Sequence, residues 1–320
     1  MTTTLSDTEQ ARLRAALADI CAAAGIDPSG AVLVRYTMNA VYRLDTAGVV
    51  VRMAAGPAGA ARAARVAQIA HAFTQRGLPT VRLTPGLRQP VHAGDWSATA
   101  WTLLPQPPGH RFPPAALAEP LRAIHATGPL PVQMPAWDPV ATSRRRLARV
   151  DQLTGPALRY LEDWALDQVG RPLPTLVAWL RDRCEDLAAA QHTVDWAMPW
   201  SVIHGDAHAG NLLRHPTGST VLCDLDSVAI GPPEWDLTPA AHGATRFGDN
   251  PHAYQAFAAA YGHDVTRSPA WPTLRRIREL QLLTSVIGEL PGRPDVAMQL
   301  AHRLRTSLAD EPAARWHRYQ

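Results

Sequence analysis

The chain has 320 residues, of which 46% are hydrophobic and 18% are charged, and this length predicts a globular protein of two lobes with a cleft between them. A net charge of +3 without long basic clusters argues against nucleic acid as a partner. The N-terminus lacks the pattern of a secretory signal, and no run approaches about 18 apolar residues, so we expect a cytoplasmic protein without a membrane span.

The first third of the chain predicts a small lobe rich in antiparallel strands. Ser6 and Glu9 form a capping box, and Gly25 ends the apolar stripe that follows, so residues 6–25 predict a docking helix. Alternating apolar residues then predict strands, and an Ala-rich stretch ended by glycine and proline predicts a helix. The predicted strands are 31–36, 39–46, 48–54 and 96–104, and the predicted helix is 57–76.

Prolines at 105, 107 and 108 interrupt the pattern and mark the predicted boundary between lobe 1–104 and lobe 105–320. The second lobe reads as mainly helical, with one hairpin of strands 211–215 and 220–226 around the turn at 216–218. The fold class is therefore α+β, with an antiparallel β-rich N-lobe and a larger helical C-lobe. The predicted helices are 114–126, 139–150, 156–168, 173–191, 252–261, 271–290 and 294–309.

Every one of the 31 basic side chains is an arginine. Schiff-base and lysine-base chemistry is thereby excluded, and any basic side chain that contacts phosphate carries a permanent charge. The three cysteines are an odd number without a C-x-x-C pair, which argues against a disulfide framework or a cysteine zinc site.

The stretch VIHGDAHAGN at 202–211 permits two interpretations. In an extended segment His204, Asp206 and His208 would lie on one face like metal ligands, which indicates a metallohydrolase with Asp224 as a further ligand. Alternatively, Asp206 is a base and Asn211 a metal ligand. In the predicted hairpin, Asn211 opens the first strand and Asp224 lies near the end of the second. Their oxygens suit Mg²⁺ and phosphoryl transfer to a hydroxyl.

Three ordered motifs resemble the aminoglycoside phosphotransferase and choline kinase-like family, whose fold resembles that of protein kinases. They are H-G-D-x-H-x-G-N at 204–211, D-L-D at 224–226 and G-P-P-E-W-D-L at 231–237. The resemblance implies that Asp206 is the catalytic base and that Asn211 and Asp224 hold Mg²⁺. It also implies ATP or GTP as the phosphate donor. His204, His208 and Asp236 are interpreted as residues that support the loop. Asp226 is interpreted either as a further supporting residue or as a second metal contact.

The resemblance also places the nucleotide site in the N-lobe. Arg52 stands where the family has the basic residue that holds phosphates, and Gln68 falls where the family has its helix glutamate. An amide accepts hydrogen bonds from a guanidinium but does not neutralise it. Thr37 and Asn39 are candidate phosphate contacts in the turn at 36–39. Backbone groups of Thr102, Leu103 and Leu104 are candidates for pairing with the nucleobase edge.

The resemblance implies a small-molecule acceptor and favours an antibiotic as its identity. From residue 237 onward the sequence contains ten arginines and seven acidic residues. This charge balance does not favour binding of a tricationic aminoglycoside. A metabolic sugar, nucleoside or amino-alcohol kinase is the alternative, and so is an inactive kinase fold that only binds. Aromatic residues are interpreted as core packing, with stacking on the acceptor as the alternative: Trp235, Tyr254, Tyr261, Trp271 and Trp316.

Overall fold

The computed structural model describes residues 5–36 and 39–319. By internal contacts the chain divides into two compact units, of which the first comprises 1–135 and 209–229 and the second 136–208 and 230–320. The lobe boundary between residues 104 and 105 stays a prediction.

The first unit contains a five-stranded antiparallel sheet in the order β1-β2-β3-β5-β4. The predicted strands 31–36, 39–46, 48–54 and 96–104 and the predicted helices 6–25 and 57–76 are confirmed. Strand β4 was not predicted, because three residues are too short to show alternation. Ser6 caps α1 by accepting a hydrogen bond from the Glu9 N–H, and Gly25 ends it in the left-handed region. The elements are α1 Asp7–Ala24, β1 Val32–Tyr36, β2 Ala40–Leu44, β3 Val49–Ala55, α2 Gly56–Gln75, β4 Val91–Ala93 and β5 Trp96–Thr102.

The two faces of β3 have different partners because side chains alternate along a strand. Val49, Val51 and Met53 are buried in a core that includes the apolar stripe of α1. Arg52 points to the opposite face, where it lines a cavity together with residues of α2. The strand period therefore directs this arginine away from the core and toward α2.

The first unit also contains the predicted hairpin, which is hydrogen-bonded to residues 79–81. Its strands are β7 Leu212–Arg214 and β8 Thr220–Leu222, paired antiparallel with Leu212 opposite Leu222. The Val81 N–H donates to the Leu222 carbonyl at 2.9 Å, and the Leu222 N–H donates to the Pro79 carbonyl at 2.9 Å. A short helix, α3 Ala118–His125, also contacts β8.

The second unit is mainly helical and contains all the remaining predicted helices, some of them shorter than predicted. A further helix, α7, was not predicted, because Pro239 lies inside it and interrupts the helical pattern. None of the helices in the described ranges is long and apolar enough to cross a bilayer. The helices are α4 Ala141–Val150, α5 Gly155–Trp164, α6 Leu173–Ala190, α7 Glu234–Arg246, α8 Pro251–Tyr261, α9 Trp271–Thr284 and α10 Ala297–Leu308. Two short strands, β6 Ser201–Ile203 and β9 Ala229–Gly231, pair with each other.

Candidate active site

In the first unit, Arg52 is held by two carboxylates and an amide. Its Nη1 lies 3.1 Å from Asp224 Oδ1, and its Nη2 pairs with Asp226 Oδ2. When the Asn39 amide is oriented with its oxygen toward Arg52, as the surrounding donors require, that oxygen accepts hydrogen bonds from Arg52 Nε at 3.2 Å and from Nη2 at 2.8 Å. Only 14% of the Arg52 side chain is exposed. The structure thus brings together four residues that the sequence analysis considers for the site: Arg52, Asp224, Asp226 and Asn39.

Gln68, which the resemblance places at the position of the family's helix glutamate, is not among the residues that line the cavity beside Arg52. The α2 residues that line the cavity beside Arg52 include Gly59, Arg62 and Val66, which recur at helical spacing on one face. Gln68 lies on another face of the same helix and is exposed. Because α2 contains no acidic residue, the charge of Arg52 is balanced by Asp224 and Asp226 instead.

Asp224 and Asn211 lie at the same end of the hairpin. The Cys223 N–H donates to the Asn211 carbonyl at 2.9 Å, which extends the register of the two strands by one pair. Asp224 adopts φ 63° and ψ 64°, a left-handed conformation that costs a non-glycine residue about 1 kcal/mol. Burial raises the pKa of the neighbouring Asp226, and the Arg52 guanidinium opposes that shift.

The donor set at this end of the hairpin fits a hard cation. Asn211 and Asp224 offer amide and carboxylate oxygens, and Asp226 offers a further carboxylate, all of which Mg²⁺ prefers. In the described part of the chain, no group of three or more histidine, cysteine or acidic side chains is arranged to hold a metal ion.

In the second unit, α7 fixes the loop of residues 204–208, called the base loop below. The Asp236 carboxylate is 1% exposed and accepts two backbone hydrogen bonds, from the His204 N–H at 2.6 Å and from the Gly205 N–H at 2.8 Å. Trp235 Nε1 donates to the Gly205 carbonyl at 2.9 Å. Gly205 has φ 83°, a conformation that favours glycine. Two consecutive residues of the G-P-P-E-W-D-L motif thus hold the H-G-D motif in place.

The first residue of that motif, Gly231, is required by close packing. A Cβ atom at this position would lie 2.6 Å from the Cβ of Trp137 and 2.8 Å from Cδ1 of Ile203, so a side chain would clash. Trp137 also packs against Trp235, with ring centroids 5.3 Å apart. The glycine therefore supports the base loop indirectly, through the packing of Trp235.

Asp206 is accessible to solvent, with 40% of its side chain exposed. Its N–H donates to His204 Nδ1 at 3.4 Å, and its Oδ2 lies 3.9 Å from His208 Nε2. Its Oδ1 lies 3.9 Å from Nη1 of Arg278 on α9. Sequence reasoning missed Arg278, because it stands in an ordinary amphipathic helix far along the chain, outside any motif.

The structure describes some of the remaining candidate contacts. The Thr102 N–H donates to the Arg82 carbonyl at 2.9 Å and the Leu103 N–H to the Gly48 carbonyl at 2.8 Å, so these two N–H groups are engaged within the fold, and pairing of Thr102 and Leu103 with a nucleobase edge through their carbonyl groups stays a prediction. Leu104 stays a prediction, and Thr37 lies outside the described residues. Four of the five aromatic residues weighed for stacking are buried in the core: Trp235, Tyr254, Tyr261 and Trp316.

Comparison with known proteins shows the family of the chain. The model of the phosphotransferase enzyme family matches residues 37–280, which is more than half of the chain, and the chain belongs to this family. It is a small-molecule kinase that acts on hydroxyl acceptors, and the resemblance found in the sequence motifs is confirmed. A search of curated protein sequences finds no match.

Several solved structures share the fold. A spectinomycin phosphotransferase solved with ADP and spectinomycin is 16% identical, with a TM-score of 0.57 over 97% of this chain and 96% of that chain. An amicoumacin kinase solved with AMP-PNP, Ca²⁺ and its antibiotic is 11% identical, with a TM-score of 0.65 over 97% and 98%. An aminoglycoside phosphotransferase from Streptomyces rimosus, solved with ADP and streptomycin, is 18% identical, with a TM-score of 0.55 over 84% and 98%. These similarities confirm the protein-kinase-like fold.

Proposed function

We propose that the protein is a magnesium-dependent O-phosphotransferase that moves the γ-phosphate of a nucleoside triphosphate, ATP or GTP, to a hydroxyl group of a small molecule. The observation that carries this proposal is the convergence of Asp224, Asp226 and Asn39 on Arg52 at the end of the hairpin that also contains Asn211. The nucleotides present in the similar solved structures support the choice of donor.

Asn211 and Asp224 would hold the metal ion, which supplies positive charge to the phosphate oxygens of the donor when it is bound. Arg52 binds and orients the phosphates. The carboxylates of Asp224 and Asp226 compensate the positive charge of Arg52. Asn39 keeps the guanidinium oriented through Nε and Nη2. Phosphate oxygens are acceptors of the same kind as the carboxylates, so Arg52 is suited to exchange one for the other.

Asp206 acts as the base. Its carboxylate accepts the proton of the acceptor hydroxyl as the hydroxyl oxygen forms a bond to the γ-phosphorus. The bond between that phosphorus and the bridging β–γ oxygen breaks, and the nucleoside diphosphate leaves with the electron pair. His204, His208 and Asp236 serve to support the base loop.

Inactivation of an antibiotic in the cytoplasm by phosphorylation is the first candidate role, since three of the similar structures are named for kinases or phosphotransferases of antibiotics. A metabolic sugar or nucleoside kinase is the second candidate. It is favoured by Arg278, whose guanidinium lies 3.9 Å from the proposed base and repels a polycationic acceptor.

The test is a screen for release of ADP and GDP with antibiotics, sugars, nucleosides and amino alcohols, in the presence and absence of Mg²⁺. We expect metal-dependent release with at least one acceptor, and Asp206→Asn should lower it about 100-fold to 10,000-fold. Asp163→Asn, an exposed aspartate on α5, is the matched control and should keep full turnover. Equal turnover in both variants would exclude Asp206 as the base.

A further inference from the structure

The guanidinium of Arg278 lies beside the proposed base and has few acceptors and counter-charges around it in the described residues. Within the described ranges, Arg278 has one ion-pair partner, Asp206 at 3.9 Å, and one hydrogen-bond partner, Gln281 Oε1 at 3.4 Å. A guanidinium carries five N–H donors, and 21% of this side chain is exposed. The donors of Arg278 thus outnumber the acceptors that the fold supplies.

A second arginine adds to this charge. Arg146 on α4 donates from Nη1 to the backbone carbonyl of Gln281 at 2.8 Å, so two guanidinium groups flank one glutamine. Burial lowers the pKa of Arg146, Glu289 raises it, and the charge of Arg278 lowers it again. Both arginines nevertheless keep their charge at neutral pH. The region beside the base is therefore electropositive.

The proposed reaction makes the imbalance larger. Asp206 loses its negative charge when it accepts the hydroxyl proton, and Arg278 then has no carboxylate beside it among the described residues. A partly buried charge that loses its counter-charge is costly. A negative group on the acceptor itself would supply the missing partner at the step where it is needed.

We propose that the acceptor carries an anionic group, a carboxylate or a phosphate, a few bonds from the hydroxyl that is phosphorylated, and that Arg278 binds this group. The proposal rests on the role of Asp206 given above. A hydroxyl oxygen within about 3.2 Å of Asp206 Oδ1 lies no farther than about 7 Å from Arg278 Nη1, because those two protein atoms are 3.9 Å apart. A carboxylate on the same or the next carbon spans that distance, and the planar guanidinium donates two parallel hydrogen bonds to its oxygens.

Matched sugar derivatives test the charge requirement. Gluconate carries a carboxylate, glucose 6-phosphate a phosphate, glucose no charge and glucosamine an ammonium group. Binding to the full chain is measured by calorimetry at constant ionic strength, with saturating ADP and Mg²⁺ so that the nucleotide site is filled. We expect one of the two anions to bind about 10-fold to 100-fold more tightly than glucose, and glucosamine to bind more weakly than glucose. The two anions distinguish the carboxylate source from the phosphate source.

Three variants assign the effect to its residue. Arg278→Gln should abolish the preference for the anion, and Arg278→Lys should restore part of it. Arg276→Gln removes an exposed arginine from the same helix and should leave the preference intact. If neither anion is preferred, or if the preference persists in Arg278→Gln, the inference is overturned. An equal loss of kcat for charged and neutral acceptors in Arg278→Gln would also overturn it, because Arg278 would then act on the transferred phosphoryl group.

Separate measurements test the proposed function and the anionic acceptor. Asp206→Asn should lose turnover but still bind the anion through Arg278, so binding reports the acceptor class and turnover reports the base. Full turnover in Asp206→Asn would refute the base assignment, whatever the binding result. Turnover that depends on Asp206, without Arg278-dependent binding of either anion, would leave the phosphotransferase in place and refute the anionic acceptor.

Discussion

Asp236→Asn tests whether α7 holds the base loop in the geometry that catalysis needs. Each carboxylate oxygen of Asp236 accepts one backbone N–H, from His204 at 2.6 Å and from Gly205 at 2.8 Å. The substitution replaces one oxygen with an NH₂ group, so one buried N–H faces another donor. The side chain is 1% exposed, and water therefore does not compensate for the lost bond.

The magnitude follows from the kind of bond that is lost. A hydrogen bond to a charged group contributes about 1.5–3 kcal/mol, and an unsatisfied buried donor adds to that loss. We expect the free energy of unfolding to fall by about 2–4 kcal/mol. We also expect kcat to fall about 10-fold to 100-fold through displacement of Asp206. The nucleotide KM should stay within about twofold, because the predicted phosphate contacts belong to the other unit.

Chemical denaturation and steady-state kinetics measure these quantities. Trp235→Phe removes the hydrogen bond to the Gly205 carbonyl and part of the buried ring that packs on Trp137. It should cost about 1–3 kcal/mol and tests the same loop if Asp236→Asn folds poorly. Asp163→Asn is the control and should stay within about 0.5 kcal/mol of the parent protein. If Asp236→Asn matches that control in both stability and kcat, the hydrogen bonds from the base loop to Asp236 do not position the base.

Three further predictions concern the nucleotide, the metal and pH. In initial-rate measurements Arg52→Gln should raise the nucleotide KM about 10-fold or more, and Arg52→Lys should raise it by a smaller factor. An unchanged KM in both variants would contradict the binding of phosphate by Arg52. Asn211→Ala and Asp224→Ala should each lower Mg²⁺-dependent turnover by orders of magnitude without unfolding the protein, and normal turnover would contradict the ligand assignment. Burial and nearby arginines hold the pKa of His242 well below its usual value, so the unfolded chain binds a proton below about pH 6.5 that the folded chain does not. Stability should therefore fall below that pH by up to about 1.4 kcal/mol per unit; in denaturation curves His242→Gln should flatten this dependence, whereas exposed His252→Gln should not, and equal slopes would refute the assignment.

Local patterns predicted most of the secondary structure because their causes lie within a few residues of each other. The Ser6 cap, the Gly25 end of α1 and the alternation around Arg52 are all encoded at short range. Helix α7 was missed because Pro239 interrupts its pattern, although the residues before it satisfy the rules for a helix start. A proline inside a helix is tolerated where tertiary packing compensates for the lost hydrogen bond.

The charge pairing in the candidate site was not predictable from spacing. The resemblance puts Gln68 at the position of the family's helix glutamate, but the partners of Arg52 are Asp224 and Asp226, more than 170 residues away in the chain. Arg278 was missed for the same reason, because no local signal connects it with Asp206. Contacts between distant segments depend on the packing of whole elements, which a single sequence does not display.

The central claim is that Asp206 is the base of a phosphoryl transfer to an acceptor hydroxyl, and ³¹P NMR of the reaction mixture tests it most directly. With Mg²⁺, a nucleoside triphosphate and an acceptor from the screen, the parent protein should produce the signals of a phosphomonoester and a nucleoside diphosphate. Under the same conditions Asp206→Asn should produce neither at a comparable rate. A phosphomonoester formed equally fast by Asp206→Asn would contradict the claim, and so would a parent protein that produces the nucleoside diphosphate with inorganic phosphate and no phosphomonoester.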